Sequence, residues 1–164
     1  MNQPLAHLAG HARIWIFQSD RFLNAHECAQ INNAMHEFIP GWASHGNDLY
    51  GGFALEKELF LVVGVDEAKS PASGCSIDSL TRVVKELGVT LNINFFNRLA
   101  IAYENNQGEI DIVSMSDFKR MVTENQVNQD TIVFNNLVNT RADFDTKWRT
   151  SVKNSWHTNL LQLV

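Results

Sequence analysis

Apolar residues recur along this chain with two periods, and the switches between them mark the elements. Ala12 to Phe17 is a short apolar run around Arg13 and predicts a strand. Gln18 to Arg21 turns the chain. Asn24 with Glu27 three residues later is a capping pattern, with Leu23 placed as a staple. Cys28, Ile31, Met35 and Phe38 then recur at helical spacing, so a helix is expected over about 25–39, stopped by Pro40-Gly41. Leu49 to Leu55 predicts a second strand, with a bulge at Gly51-Gly52. Glu56-Lys57-Glu58 makes a turn. Leu59 to Val65 is almost wholly apolar, as expected of a central strand covered on both faces.

Ile77, Leu80, Val84 and Leu87 predict a second helix from about Cys75, ended by Gly88. Phe96 to Tyr103 predicts a fourth strand, placed in the sheet at 97–104. The turn Asn105-Asn106-Gln107-Gly108 leads to a fifth strand, Glu109 to Val113. Ser116 is expected to cap a short helix carrying Phe118 and Met121. Asp130 to Phe134 predicts a short strand, and Thr140 the cap of a last helix with Phe144 and Trp148 four apart. Residues 1–11 read as a loose lead-in.

The order over 12–104 is β-α-β-β-α-β, which is that of the ferredoxin-like split βαβ fold. Two interleaved crossovers would give one sheet in spatial order 4-1-3-2, with both helices on one face. The expected class is α+β in a single domain, 1–164. A core over 12–104 would carry a C-terminal extension, 105–164, of a hairpin strand, two short helices and a short strand.

Length and composition fit a globular chain: 164 residues, 45% hydrophobic and 19% charged. No apolar stretch approaches the ~20 residues of a transmembrane helix. The first ten residues lack the basic and apolar regions of a secretory signal. Cys28 and Cys75 are the only cysteines, which fits a reducing compartment. The expected location is the cytoplasm, with no membrane span. The net charge is −5 and the basic residues are scattered, so no nucleic-acid partner is expected. No cofactor and no metal site is predicted. Cys28 lies on the apolar stripe of the first helix and reads as a core thiol.

The candidate chemistry gathers at Ser73-Gly74-Cys75-Ser76-Ile77-Asp78. A small-residue loop there follows a central strand and places a thiol where a helix begins. Free N–H groups and the positive dipole end favour a thiolate or a bound anion. Cys75 reads either as a nucleophile or as a small residue fitting a tight turn. His45 is its candidate base, and Asp66 the group that would orient His45 or bind a ligand. In the split βαβ order the loop after helix one, the loop after strand three and the start of strand one meet at one end. The expected pocket is lined by Arg13, Trp42, His45, Asp66, Cys75 and Ser76, with catalytic roles for Cys75, His45 and Asp66 and ligand contacts from Arg13, Trp42 and Ser76.

Five stretches carry a resemblance: Arg13 to Gln18, Trp42-Ala43-Ser44-His45-Gly46, Ser73 to Asp78, Thr131 to Asn136 and Ser155-Trp156-His157. Over nearly its whole length the chain resembles a family of short bacterial proteins often labelled "ABC transporter ATPase". The resemblance implies no activity. A nucleotide-hydrolysing loop needs G-x-x-x-x-G-K-[ST] between strand and helix, and neither junction here carries it. Phe118 to Val133 also resembles a short segment of bacterial GYF-like domains, which implies a protein contact for the C-terminal third. Two functions are therefore expected from different classes. One is a non-catalytic ligand-binding or protein-interaction domain with its pocket at the helix beginning near Cys75. The other is a cysteine-dependent hydrolase or transferase acting on a small acyl or amide substrate.

Overall fold

The computed structural model describes residues 2–163. The chain forms an α+β structure of two compact units, residues 2–96 with 139–143, and residues 97–138 with 144–163. No helix among the described residues is long and apolar enough to cross a membrane.

The first unit holds β1 (Asn2–Pro4), β2 (Arg13–Gln18), α1 (Ala25–Phe38), β3 (Ala43–Ser44), β4 (Asn47–Asp48), β5 (Gly51–Glu56), β6 (Phe60–Val65) and α2 (Gly74–Leu91). Its main sheet runs β1-β5-β6-β2, with β6 antiparallel to both neighbours and β1 parallel to β5. The expected adjacency of the first and third predicted strands is present, as Arg13 pairs with Val65 and Gln18 with Phe60. Alternation along β6 divides its buried side chains between two faces. Leu61, Val63 and Val65 join Phe17, Phe53, Ile31, Met35, Leu80 and Val84 in the core beneath the two helices. On the opposite face, Gly64 admits Leu5 and Leu8. A Cβ at Gly64 would lie 2.7 Å from Leu8 Cδ1 and 2.9 Å from Leu5 Cδ1.

That packing corrects the reading of residues 1–11 as a loose lead-in. Asn2–Pro4 extends the sheet, and a 3₁₀ turn (Leu5–His7) drops buried Leu5 and Leu8 onto it. Met1 lies outside the described residues. The bulge expected at Gly51-Gly52 is also absent, because β5 pairs with β6 without interruption. Gly51 instead makes room for the Trp42 ring and Ile39, which a Cβ would approach to 3.2 and 3.3 Å.

The single four-stranded order 4-1-3-2 fails at its last strand. The open side of β2, where that strand was expected, receives the segment at Asn139–Ala142. Ile14 N–H donates to Asn139 O (3.0 Å), and Arg141 N–H donates to Ala12 O (2.9 Å). Residues 100–104 build a different sheet.

That sheet is the frame of the second unit. It contains β7 (Ala100–Glu104), β8 (Ile110–Ser114), α3 (Met115–Thr123), β9 (Ile132–Phe134), α4 (Arg141–Lys147, its first residues belonging to the first unit) and β10 (Arg149–Ser151). The order is β10-β9-β7-β8, all antiparallel. Ile101, Tyr103 and Val133 pack with Phe118, Met121, Val152 and Leu160 in a separate core. Ser114, not Ser116, caps α3. It accepts from Asp117 N–H at 3.1 Å.

Candidate functional site

Six residues were expected to converge where β6 ends and α2 begins. The structure brings some of them together. The Trp42 indole N–H donates to Ser76 O at 2.8 Å, so the segment after α1 does meet the start of α2. Ser76 is buried and closes a capping box. Its N–H donates to Ser73 Oγ (3.2 Å), while Ser73 N–H donates to Ser76 Oγ (2.8 Å). Two of the amides expected to face a ligand are thereby engaged within the chain. Trp42 itself is 2% exposed and packs edge-on to Trp15 at 6.0 Å.

Asp66 is buried, and its partner is His11 rather than His45. His11 Nε2 lies 2.8 Å from Asp66 Oδ1, which also accepts from Ala68 N–H at 3.1 Å. The bond to His11 holds the Asp66 carboxyl below its ordinary value, against the opposing effect of burial. Arg13 pairs with Glu67 at 3.3 Å and lies over the Trp15 ring at 4.8 Å. His45 is exposed at the tip of the β3–β4 hairpin. With φ of 52° at His45 and 81° at Gly46, the pair forms the two-residue turn that matches strand twist. Cys75 is exposed in the first turn of α2, where its carbonyl accepts from Ser79 Oγ at 2.9 Å. Cys28 packs against the core under the sheet, and burial pushes its thiol up.

A second place in this unit has the form of a binding surface, and it lies at the other end of α2. An open groove of about 600 Å³ is lined by Asp20, Lys85, Gly88, Val89 and the segment Asn92–Phe96, with Val84 at its floor. Its shape comes from the way α2 terminates. Asn92 takes the left-handed conformation at φ 53° and donates to Gly88 O and Val89 O, and Ile93 N–H then donates to Gly88 O at 2.8 Å. The returning Ile93 carbonyl passes so close that a Cβ on Gly88 would sit 2.6 Å from its oxygen. Gly88 is therefore a close-approach residue inside the helix, and Asn92 is the stop. This corrects the helix end read at Leu87.

The segment past Asn92 is fixed by side-chain bonds. Asn94 N–H donates to Asp20 Oδ1 (3.1 Å), and Phe96 N–H donates to Asn94 Oδ1 (2.9 Å). Phe96 meets Phe17 edge-on at 5.7 Å, and Lys85 Nζ lies 5.7 Å from the Phe96 ring centre. Arg21 ties the neighbouring elements together. It forms a paired contact with Glu27 (2.7 and 2.9 Å) and donates to Leu91 O at 2.9 Å. With Arg21 and the Asn24 amide as donors, the Glu27 carboxyl is held down to about 2.

Sequence reasoning missed this groove because Phe96 was assigned to a strand. The available signal was the run Gly88, Asn92, Asn94: a close-approach residue, a left-handed cap and an Asx turn within seven positions. No protein-family model, no curated protein and no solved structure matches the chain.

Proposed function

We propose that the chain is a non-catalytic ligand-binding or protein-interaction domain whose contact surface is the groove at the C-terminal end of α2. The observation that carries this reading is the exposure of Val89 (85%) and Phe96 (40%) beside buried Ile93 and Phe95. Large apolar groups in water at the rim of a recess are the usual feature of a binding surface. The bonds from Asn94 to Asp20 and from Phe96 to Asn94 fix one wall, which lowers the ordering cost of binding. The test is fluorescence titration with anilinonaphthalene sulfonate as an apolar probe. Saturable enhancement that Val89→Asp and Phe96→Ser each abolish, with the fold intact by circular dichroism, supports the reading. Enhancement unchanged in both variants sinks it.

A cysteine-dependent hydrolase or transferase is the second reading, with Cys75 as nucleophile, His45 as base and a small acyl or amide substrate at the start of α2. It is favoured by the Trp42–Ser76 bond, which brings the loop before His45 to the helix that carries the exposed thiol. Iodoacetamide labelling across pH tests it. A Cys75 rate that stays high below neutral pH and falls in His45→Ala supports an activated thiolate. An ordinary thiol profile removes the reading.

The same proposal carries the finer assignments. The stretch β2-α1-β5-β6-α2 is read as a ferredoxin-like split βαβ unit without its fourth strand. The chain is read as cytoplasmic, on its two free thiols, and as related to the short bacterial proteins it resembles. A nucleic-acid partner is disfavoured because Arg13, Arg21, Arg120, Arg149 and Lys153 each face a carboxylate of the chain.

A further inference from the structure

We propose that β8 is an open pairing edge through which two copies of this chain join their second sheets around a two-fold axis at Ile112. β8 ends the order β10-β9-β7-β8, and its pairing with β7 is continuous from Ile110 to Ser114. The phase of the ladder follows from its two ends. Asn105 N–H donates to Glu109 O at 2.8 Å, and Met115 N–H donates to Leu99 O at 2.7 Å. Glu109 and Met115 therefore bond inward, and alternation makes Asp111 and Val113 do the same. The N–H and C=O groups of Ile110, Ile112 and Ser114 point away from β7. The Ser114 C=O takes the first bond of α3, as an N-cap carbonyl does, while among the described residues the Ser114 N–H and both groups of Ile110 and Ile112 meet no backbone partner.

Proteins blunt such edges with charges, above all lysine, with proline, bulges, short strands or a covering element, and of these β8 has only its short length and Asp111. The stretch Ile-Asp-Ile-Val-Ser contains no lysine, proline or glycine, and its ladder has no bulge. Its one charge is turned back onto its own hairpin. Asp111 Oδ2 accepts from Asn105 Nδ2 at 3.1 Å and from Tyr103 Oη at 3.5 Å. Ile110, Ile112 and Val113 remain half-buried, leaving apolar surface for a neighbour to cover.

Charge and strand length select the register in which a second copy fits. An antiparallel second copy centred on Asp111 would set two carboxylates against each other in a close, non-hydrogen-bonded pair. Centred on Val113, it would run into the start of α3 and lose the contribution of Ile110. Centred on Ile112, it sets Ile112 against its own counterpart, Ile110 against Ser114 and Asp111 against Val113. Ile112 then exchanges both bonds with its counterpart, and the Ser114 N–H donates to the Ile110 C=O of the other copy, with no like charges opposed. The second copy is thus a strand that fits this edge in backbone, side chain and charge.

Sedimentation equilibrium of the full chain over a wide concentration range tests the proposal. The expected result is a reversible doubling of mass, lost in Ile112→Lys, which would oppose two ammonium groups at the axis. Circular dichroism checks the fold of that variant. Cross-linking decides should it unfold. In a Cys75→Ser background, Ile112→Cys places thiols on a hydrogen-bonded pair whose Cα atoms lie about 5.5 Å apart, within disulfide range. Mild oxidation should give a covalent dimer from Ile112→Cys and far less from Ile110→Cys. A chain that stays monomeric at every concentration overturns the proposal, as do a dimer indifferent to Ile112→Lys and equal cross-linking at both positions.

Discussion

His11 Nε2 lies 2.8 Å from Asp66 Oδ1, tying the N-terminal segment to the end of the central strand. Asp66 is buried and His11 is largely in water, so the pair acts as an anchor whose inner half depends on the outer. Because the Asp66 carboxyl is held below its ordinary value, its contribution is present above the carboxylate range and is lost as pH falls through the folded value. His11→Ala should cost about 1 kcal/mol in urea unfolding at neutral pH. It should also let the Asp66 titration rise, since burial then acts with less opposition. A carboxyl resonance that titrates unchanged in the variant would show the bond is inconsequential.

His157 gives the second unit its acid sensitivity. The ring is 2% exposed, stacks on Trp156 at 4.0 Å and bonds Ser155 through Nδ1 at 2.8 Å. Burial pushes its value down from 6.5 to about 4. The unfolded chain therefore takes up the proton first as pH drops. Stability should fall between pH 6.5 and about 4, by up to about 3 kcal/mol, and level off below. His157→Asn should flatten that limb while lowering stability at neutral pH. Urea midpoints measured at stepped pH check both.

Gly64 holds the N-terminal turn against the sheet by being small. Gly64→Ala should destabilise by about 1–3 kcal/mol, since Leu5 and Leu8 must leave their seats. Leu8→Ala alone should also destabilise. Combined, the two should cost less than their sum, because the shortened side chain vacates the space. Strict additivity in a double-mutant cycle would place the strain elsewhere.

The β5–β6 turn carries strain of another kind. Lys57 and Glu58 both stand in the left-handed region, at φ 55° and 54°. Neither has the side chain or the lack of one that eases that conformation. Lys57→Asn or Glu58→Gly should raise stability by about 1 kcal/mol without altering the fold. A lower thermal midpoint in both would mean these side chains make contacts worth more than the strain.

Much of the first unit was legible in local pattern. The box at Asn24 and Glu27 marks the start of α1, and the apolar stripe of α2 marks its core face. What was not legible depended on partners distant in sequence. The turn at Asn105–Gly108 marks Ile110–Ser114 as the hairpin mate of Ala100–Glu104, but nothing local says that its other side takes β9 and not β2, because both sheets accept an apolar strand of that length. Gly88 looks like a helix stop until the Ile93 carbonyl is placed beside it. At the expected site, residue types were informative and partnerships were not: Asp66 was singled out, but its histidine is His11, which stands in a stretch read as unstructured.

The joining of Gly10 and Ala12 to Ala142 and Arg141 has a consequence for synthesis. The first unit is interrupted in sequence, so it cannot be completed until residue 142 has been made. By then the whole of 97–138 has already been synthesised. Gly10 to Ile14 wait far longer for these neighbours than Asn2–Pro4 wait for β5, and nascent chains halted before Asn139 should leave the β2 edge bare. Neither unit corresponds to one continuous span, so a cut at residue 96 would not release the first unit whole.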